Sequence, residues 1–179
     1  MTLIKLVEKE EATGKVAEIY EAMNNMWGMI PEAFKLYSPS ETLLSQQYNN
    51  LMFYSKHPTI GSKLQAFIRL LVSEKEECEY CVTMNTGMLF NYGVLPEMIE
   101  KIKKDPSTAP LDDKEKAMLL FVLKLVQNSN SIEQKDVDKL HELGWADSEI
   151  LEASYHGAMK NFMASPLVRR LPGGSGPMY

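Results

Sequence analysis

The stretch that decides the fold runs Leu70-Leu-Val-Ser-Glu-Lys-Glu-Glu-Cys78-Glu-Tyr-Cys81-Val-Thr-Met-Asn85-Thr-Gly-Met-Leu89. Helical periodicity pauses over residues 73–77 and then restarts. The residues that share one face of the new helix are Cys78, Cys81, Val82, Asn85, Met88 and Leu89. Both cysteines therefore lie in the first turns of a helix. At this spacing their Cα atoms are expected about 5 Å apart, which a disulfide tolerates.

A helix start favours a charged thiol, because unpaired N–H groups and the positive end of the dipole stabilise a thiolate there. A low-pKa thiol beside a second thiol can attack a peroxide or a disulfide and then close its own bridge. On position alone, Cys78 is expected to be the more acidic thiol. Two alternatives stay open: simple packing of two small apolar side chains, and a zinc site. The zinc site would need two ligands from His57, His141 and His156, which follow no local metal-ligand spacing.

Composition excludes several classes of protein. The chain has 179 residues, a formal charge of -5 and only two cysteines. The acidic balance argues against a nucleic-acid or polybasic membrane-surface protein, and two cysteines cannot build a secreted disulfide scaffold. The longest fully apolar run, residues 117–123, is far too short for a membrane span. The first residues lack the pattern of a secretory signal, so we expect a cytoplasmic protein without membrane or nucleic-acid partners.

Apolar residues recur at helical spacing along the chain, and no stretch alternates with period two, so the predicted fold class is all-α. The clearest helical rows of apolar residues begin at Val16, Leu44, Leu64 and Met118. A last long helix is expected from about Asp147 to Pro166, marked by Ile150, Leu151, Ser154, Tyr155, Ala158 and Phe162. Predicted helix ends are an N-cap at Ser40, a capping-box-like start at Asp112, a capping box of Ser131 with Gln134, and a left-handed end at Gly144.

The helices are expected to form one domain over residues 1–171. Residues 103–110, rich in proline and polar side chains, are the best boundary between two halves, roughly 1–104 and 111–171. Two stretches, one beginning at Gly93 and the other at Gly144, share the same pattern: a helix ends, a short turn follows and a new helix begins. The repeat suggests a duplicated helical hairpin. The tail, residues 172–179, is expected to be flexible because of its glycine and proline content.

A family resemblance becomes visible at the cysteines. The pattern Val72-Ser73, Cys78-x-Tyr80-Cys81, Leu89-x-x-x-Gly93 resembles the Cys-x-x-Cys, peroxidase-related branch of the alkylhydroperoxidase D-like (AhpD-like), carboxymuconolactone decarboxylase superfamily. Weaker matches are Ile30-Pro31-x-x-Phe34 upstream, and Asp136-Val137-x-x-Leu140, Gly144-Trp145 and Glu149-Ile150-Leu151 downstream. The resemblance runs from roughly residue 14 to residue 170.

The resemblance implies an AhpD-like helical fold that assembles into trimers, hexamers or other homo-oligomers. It also implies an antioxidant peroxidase or disulfide reductase that uses no cofactor or metal. Cys81 would attack the hydroperoxide or disulfide substrate, Cys78 would be the relay or resolving partner, and an external thiol would reduce the resulting disulfide. A carboxymuconolactone decarboxylase activity is a third hypothesis, which rests on the superfamily name alone.

Two positions depart from the family pattern. Active members carry a histidine four residues after the second cysteine and a glutamate twelve residues before the first, where this chain has Asn85 and Ala66. Neither residue can relay a proton. His156 on the last helix is a candidate replacement base. The departures leave open a non-catalytic or weakly active binding or stress-associated oligomer.

Methionine is unusually frequent, with twelve residues. Met84 and Met88 fall on the cysteine helix, and Met159 and Met163 on the last one. They predict either an adaptable apolar pocket or, by preference, core and interface packing.

Overall fold

A computed structural model describes residues 4–163. The secondary structure in that range is helical, with no β-strand. The all-α prediction is confirmed. The helices are α1 (Gly14–Trp27), α2 (Glu32–Lys35), α3 (Glu41–Ser55), α4 (Ser62–Lys75), α5 (Glu79–Asn91), α6 (Pro96–Lys104), α7 (Asp113–Gln127), α8 (Gln134–Glu142) and α9 (Asp147–Met163), with 3₁₀ turns at Pro106–Thr108 and Ser129–Ser131. No helix within residues 4–163 has the length and apolar character that crossing a membrane requires.

Most predicted helix ends are correct because they depend on local hydrogen bonds. Ser40 caps α3 by accepting the Leu43 N–H at 3.3 Å, and Asp112 caps α7 by accepting the Glu115 N–H at 2.7 Å. Gly144 has a left-handed φ of 80° after α8, and Gly93 has the same conformation, φ 73°, after α5. Each glycine ends its helix and lets the chain reverse direction.

The capping box predicted at Ser131 is wrong. Ser131 belongs to a 3₁₀ turn, and the box is formed two residues later by Glu133 and Asp136. Asp136 accepts the Glu133 N–H at 2.8 Å and also binds Lys124 of α7 at 2.6 Å. The second contact ties α8 to α7, so a tertiary bond helps to choose which residue begins the helix.

Helix α4 lies at the centre of the fold and packs against α5, α7 and α9. Its residues Leu64 to Val72 form the middle of the larger apolar core, with residues of α5 to α9 around them. A second core joins α1, α2 and α3 to the start of α5, and both cysteines belong to it. The cysteines therefore lie where the N-terminal helices cover the main bundle.

Helix α9 leaves most of the residues that marked it in the sequence unburied. Leu151, Tyr155 and Phe162 are exposed, by 70%, 49% and 54%. The buried face instead holds Ile150, Ala153, Gly157 and Lys160. The predicted end of this helix at Pro166 and the predicted tail, residues 172–179, lie outside the described residues. The single-domain and two-half descriptions remain predictions.

Gly157 is the point of closest approach between α9 and α7. A methyl group added there would overlap Cγ1 of Val122 and would lie 3.2 Å from Cγ2 of Val126. Both valines are stiff, β-branched side chains that cannot easily turn away. The glycine therefore lets α9 approach closely enough for Lys160, one turn further along, to reach the cysteines.

We expect Gly157→Ala to lower the free energy of unfolding by about 1–3 kcal/mol, because overpacking outweighs the better helix propensity of alanine. The matched control is Gly87→Ala in α5, where an added methyl meets nothing within 4 Å. Thermal unfolding of the two variants checks the prediction. Equal melting temperatures would contradict it.

Candidate active site

The connection between α4 and α5 sets the positions of both cysteines. Glu77 has a left-handed φ of 53°, and the Cys78 N–H then donates to the Ser73 carbonyl at 3.0 Å. Cys78 is the N-cap residue of α5, and Cys81 is its third residue. Both are free thiols, and they are 0% and 1% exposed.

The Cys81 sulfur is surrounded by hydrogen-bond donors. The Cys78 thiol donates to it, the Lys160 ammonium donates and adds a positive charge, and the Ser73 hydroxyl lies beside it. The single Ser73 hydroxyl proton is donated to the Arg69 carbonyl at 2.5 Å, so Lys160 and Cys78 are the donors to the sulfur. The hydrogen bond from Cys78, followed by the Lys160 charge, lowers the pKa of Cys81 below its usual range despite burial.

The pKa of Cys78 changes in the opposite direction. Its hydrogen bond to Cys81, burial, and the negative charge on Cys81 all raise that pKa. This order is the reverse of what position on the helix alone predicts. The helix start favours either cysteine as a thiolate, but only Cys81 contacts a cation. Direct contacts therefore decide which thiol ionises.

Lys160 is the principal residue that sequence reasoning missed. It is 3% exposed and lies on the buried face of α9. Burial lowers its pKa, and the charge and hydrogen bond of Cys81 oppose that effect. One sequence signal could have found it. Lys160 continues the helical spacing of Ile150, Ala153 and Gly157, so a lysine stands at a core position.

Asn85 contacts the backbone of Cys81 rather than its sulfur. Its Nδ2 donates to the Cys81 carbonyl at 2.7 Å, and its Oδ1 accepts from Nε of Arg69 at 2.8 Å. Asn85 is fully buried, so these two bonds fix both its own orientation and that of Arg69. Ala66, the other departure from the family pattern, is fully buried in α4.

His156 lies on the wall of a cavity beside Arg69. Its Nε2 is 3.4 Å from Nη1 of Arg69, and its ring centroid is 4.5 Å from that of Tyr54. Burial and the nearby charges of Arg69 and Lys160 lower the pKa of His156 well below its usual range, so the imidazole is neutral. No described hydrogen bond joins it to either sulfur. The cation on α9 that does reach Cys81 is Lys160.

Tyr37 supplies a second polar group near the thiols that the sequence did not reveal. Its hydroxyl is buried and has no hydrogen-bond partner within residues 4–163. Burial, with a contribution from the Cys81 charge, raises the pKa of this phenol. Tyr37 therefore remains a proton donor in the core that holds the cysteines.

The other two histidines have structural contacts. The side chain of His57 is buried, accepts the Ile60 N–H at 3.0 Å and lies 2.9 Å from Glu152. His141 pairs with Asp147 at 2.8 Å in the last turn of α8. Within the described part of the chain, no three histidine, cysteine or acidic side chains cluster as metal ligands.

A cavity of about 560 Å³ lies next to the cysteine pair. Arg69, Lys160 and His156 contribute its basic side chains, and no aspartate or glutamate among residues 4–163 lines it. Its methionines are Met29, Met84, Met88, Met159 and Met163, and its aromatic side chains are Trp27, Phe34, Tyr54 and Tyr92. The four methionines singled out in the sequence thus line a pocket, which favours the first of their two interpretations.

Comparison with known proteins supports the fold. No family model matches the sequence, and no curated protein matches it. Among solved structures, a peroxidase-related protein with an AhpD core from Ralstonia eutropha JMP134 has a TM-score of 0.76 at 17% identity, over 91% of this chain and 86% of the other. A peroxidase-related protein from Silicibacter sp. TM1040 has a TM-score of 0.73 at 21% identity, with the same coverage.

The debrominase Bmp8, solved with 2,3,4-tribromopyrrole, is also similar, with a TM-score of 0.71 at 13% identity over 97% of this chain and 94% of the other. All three identities are low, so these similarities establish the fold alone. The chain has an AhpD-like helical fold.

Proposed function

We propose that the protein is a thiol-dependent peroxidase or disulfide reductase in which Cys81 attacks and Cys78 resolves. One observation carries the proposal: Lys160 and Cys78 both hydrogen-bond to the Cys81 sulfur, so the pKa of Cys81 falls while that of Cys78 rises. Two-thiol chemistry needs an ionised nucleophile beside a partner that keeps its proton. The fold shared with proteins named peroxidase-related supports the same class.

In the first step, the Cys81 thiolate attacks the outer oxygen of a hydroperoxide. An S–O bond forms, the O–O bond breaks, and the alkoxide takes a proton to leave as an alcohol. Cys81 is oxidised to a sulfenic acid. With a disulfide substrate, the thiolate attacks one sulfur, and the other leaves as a thiolate.

In the second step, Cys78 attacks the oxidised Cys81 sulfur. Formation of the sulfenic acid removes the negative charge that held the proton on Cys78, so the Cys78 thiol can now ionise. Its attack forms the Cys78–Cys81 disulfide and expels hydroxide, which leaves as water. An external dithiol then reduces the bridge, so that one hydroperoxide and two thiols give an alcohol, water and a disulfide.

Lys160 offers a substitute for the proton relay that Asn85 and Ala66 cannot form. A cation stabilises a thiolate directly, without a base that must accept its proton. Lys160 also lines the cavity, so a molecule bound there is one side chain away from the nucleophile. Because Cys81 is 1% exposed and Lys160 lies between it and the cavity, we expect the Lys160 side chain to move aside when substrate reaches the sulfur.

The test is consumption of an alkyl hydroperoxide, and separately of a small disulfide, with dithiothreitol as reductant. The control is the double variant Cys78→Ser, Cys81→Ser. We expect the wild type to turn over at least one of the two substrates many times per protein molecule. A wild-type rate no greater than that of the double variant, with both substrates, would overturn the proposal.

A non-catalytic binding protein is the second candidate, favoured by the burial of both sulfurs and by Asn85 and Ala66 at the relay positions. It predicts ligand binding in the cavity with no turnover of either substrate. The assay above separates the two candidates.

We also propose a cytoplasmic homo-oligomer, trimeric or hexameric. Two free thiols suit a reducing compartment. Exposed apolar side chains, among them Leu43, Leu95 and Leu151, suit subunit contacts.

A further inference from the structure

Arg69 is a cation whose described partners are all neutral. Its Nε donates to Asn85 at 2.8 Å, its Nη2 donates to the Met88 sulfur at 3.3 Å, and its Nη1 lies 3.4 Å from Nε2 of neutral His156. No carboxylate within residues 4–163 forms an ion pair with it. A guanidinium is always charged in a protein, and withdrawing it from water without a counter-ion is costly.

The second cation of the cavity already has a counter-charge. Lys160 hydrogen-bonds to Cys81, whose thiolate balances the ammonium. Arg69 is therefore the cavity cation left without an anionic partner in the described part of the chain. One of its N–H groups donates to the Met88 sulfur, which is only a weak hydrogen-bond acceptor.

The rest of the cavity is suited to an apolar body. Four methionines from two helices line it, Met84 and Met88 on α5, and Met159 and Met163 on α9. Methionine side chains adapt to irregular apolar ligands. The volume of about 560 Å³ lies within the range of small-molecule sites.

We propose that this cavity binds an amphipathic organic anion, with a carboxylate paired to Arg69 and an apolar body among the methionines. Arginine suits this role because its planar fork can bind both oxygens of a carboxylate. The inference rests on the proposed function in one respect, namely that the bound anion is the substrate. Binding itself requires neither cysteine.

The first test is calorimetric titration of the full chain with octanoate, octanol and octylammonium, which share an apolar body and differ in charge. We expect octanoate to bind at least about tenfold more tightly than octanol, and octylammonium to bind most weakly, as charge-assisted pairing requires. Equal affinities, or no binding of octanoate, would overturn the inference. This comparison needs no variant.

The second test places a competing carboxylate beside Arg69. Met88 is 39% exposed, so Met88→Glu and its neutral match Met88→Gln should both fold. We expect Met88→Glu to weaken octanoate binding at least about tenfold relative to Met88→Gln, and to change octanol binding little. The same octanoate affinity in both variants would contradict the role of Arg69.

Repeating the titration on the Cys78→Ser, Cys81→Ser protein separates this inference from the proposed function. Octanoate should bind the double variant at least as tightly as it binds the wild type, whatever the turnover assay gives, because Arg69 remains and Lys160 loses its thiolate partner. Turnover without octanoate binding overturns only the anion site. Binding without turnover overturns only the redox proposal.

Discussion

Replacing Cys81 by serine is expected to reduce hydroperoxide consumption to the rate of the double cysteine variant. Serine keeps the size of the side chain, but its hydroxyl does not ionise near neutral pH, so the ion pair with Lys160 is lost along with the nucleophile. Cys78→Ser should behave differently. It should consume about one equivalent of hydroperoxide and stop at a Cys81 sulfenic acid, because the resolving thiol is absent.

Rapid-mixing measurement of the first equivalent, followed by mass spectrometry with a sulfenic-acid trap, checks both variants. The trap should label Cys81 in Cys78→Ser and label nothing in Cys81→Ser. The assignment of roles is reversed if Cys81→Ser keeps the initial oxidation and Cys78→Ser loses it.

Replacing Lys160 by methionine is expected to raise the pKa of the Cys81 thiol by about one to two units, because the variant loses both a positive charge and a hydrogen bond to the thiolate. Each unit leaves about tenfold less thiolate at a pH below the pKa. With a wild-type pKa of about 6, the rate of Cys81 oxidation at about pH 6 should therefore fall about 5- to 50-fold, while well above the pKa of an ordinary thiol the two rates should converge.

Ultraviolet absorbance of the thiolate against pH measures this shift without a reagent that must reach the buried sulfur. A matched control is Lys135→Met, which removes a lysine whose side chain is 75% exposed on α8. The control should keep the wild-type midpoint. An unchanged midpoint in Lys160→Met would show that Lys160 does not set the ionisation of Cys81.

The local parts of this fold are predictable from the sequence. The helical spacing on α4 and α5 predicts the break and restart that put Cys78 and Cys81 at a helix start, and short-range caps such as Ser40 follow from one residue type and its neighbours. The family resemblance adds the AhpD-like fold, which the structural comparisons confirm. These features depend on contacts within a few residues along the chain.

The polar environment of the thiols depends on contacts that local patterns do not encode. Lys160 meets Cys81 although it lies 79 positions further along the chain, and a lysine on a helix normally indicates a solvent-facing side. On α9, Leu151 and Tyr155 suggested the wrong buried face, because the true face contains a glycine and a lysine. Arg69 gives the same kind of signal as Lys160, because it is the one charged residue in the otherwise uncharged stretch from Leu64 to Ser73.

In the proposed redox cycle, the contact between Lys160 and Cys81 also ties electron transfer to proton release. When the two thiols become a disulfide, the Cys81 charge disappears and Lys160 is left buried without its anion. A buried ammonium in that state is driven to lose its proton or to gain an anion from the cavity. Each proton released with the two electrons changes the midpoint potential by about 30 mV per pH unit. Under the proposed function, the redox couple is therefore set by an amine on another helix as well as by the two sulfurs.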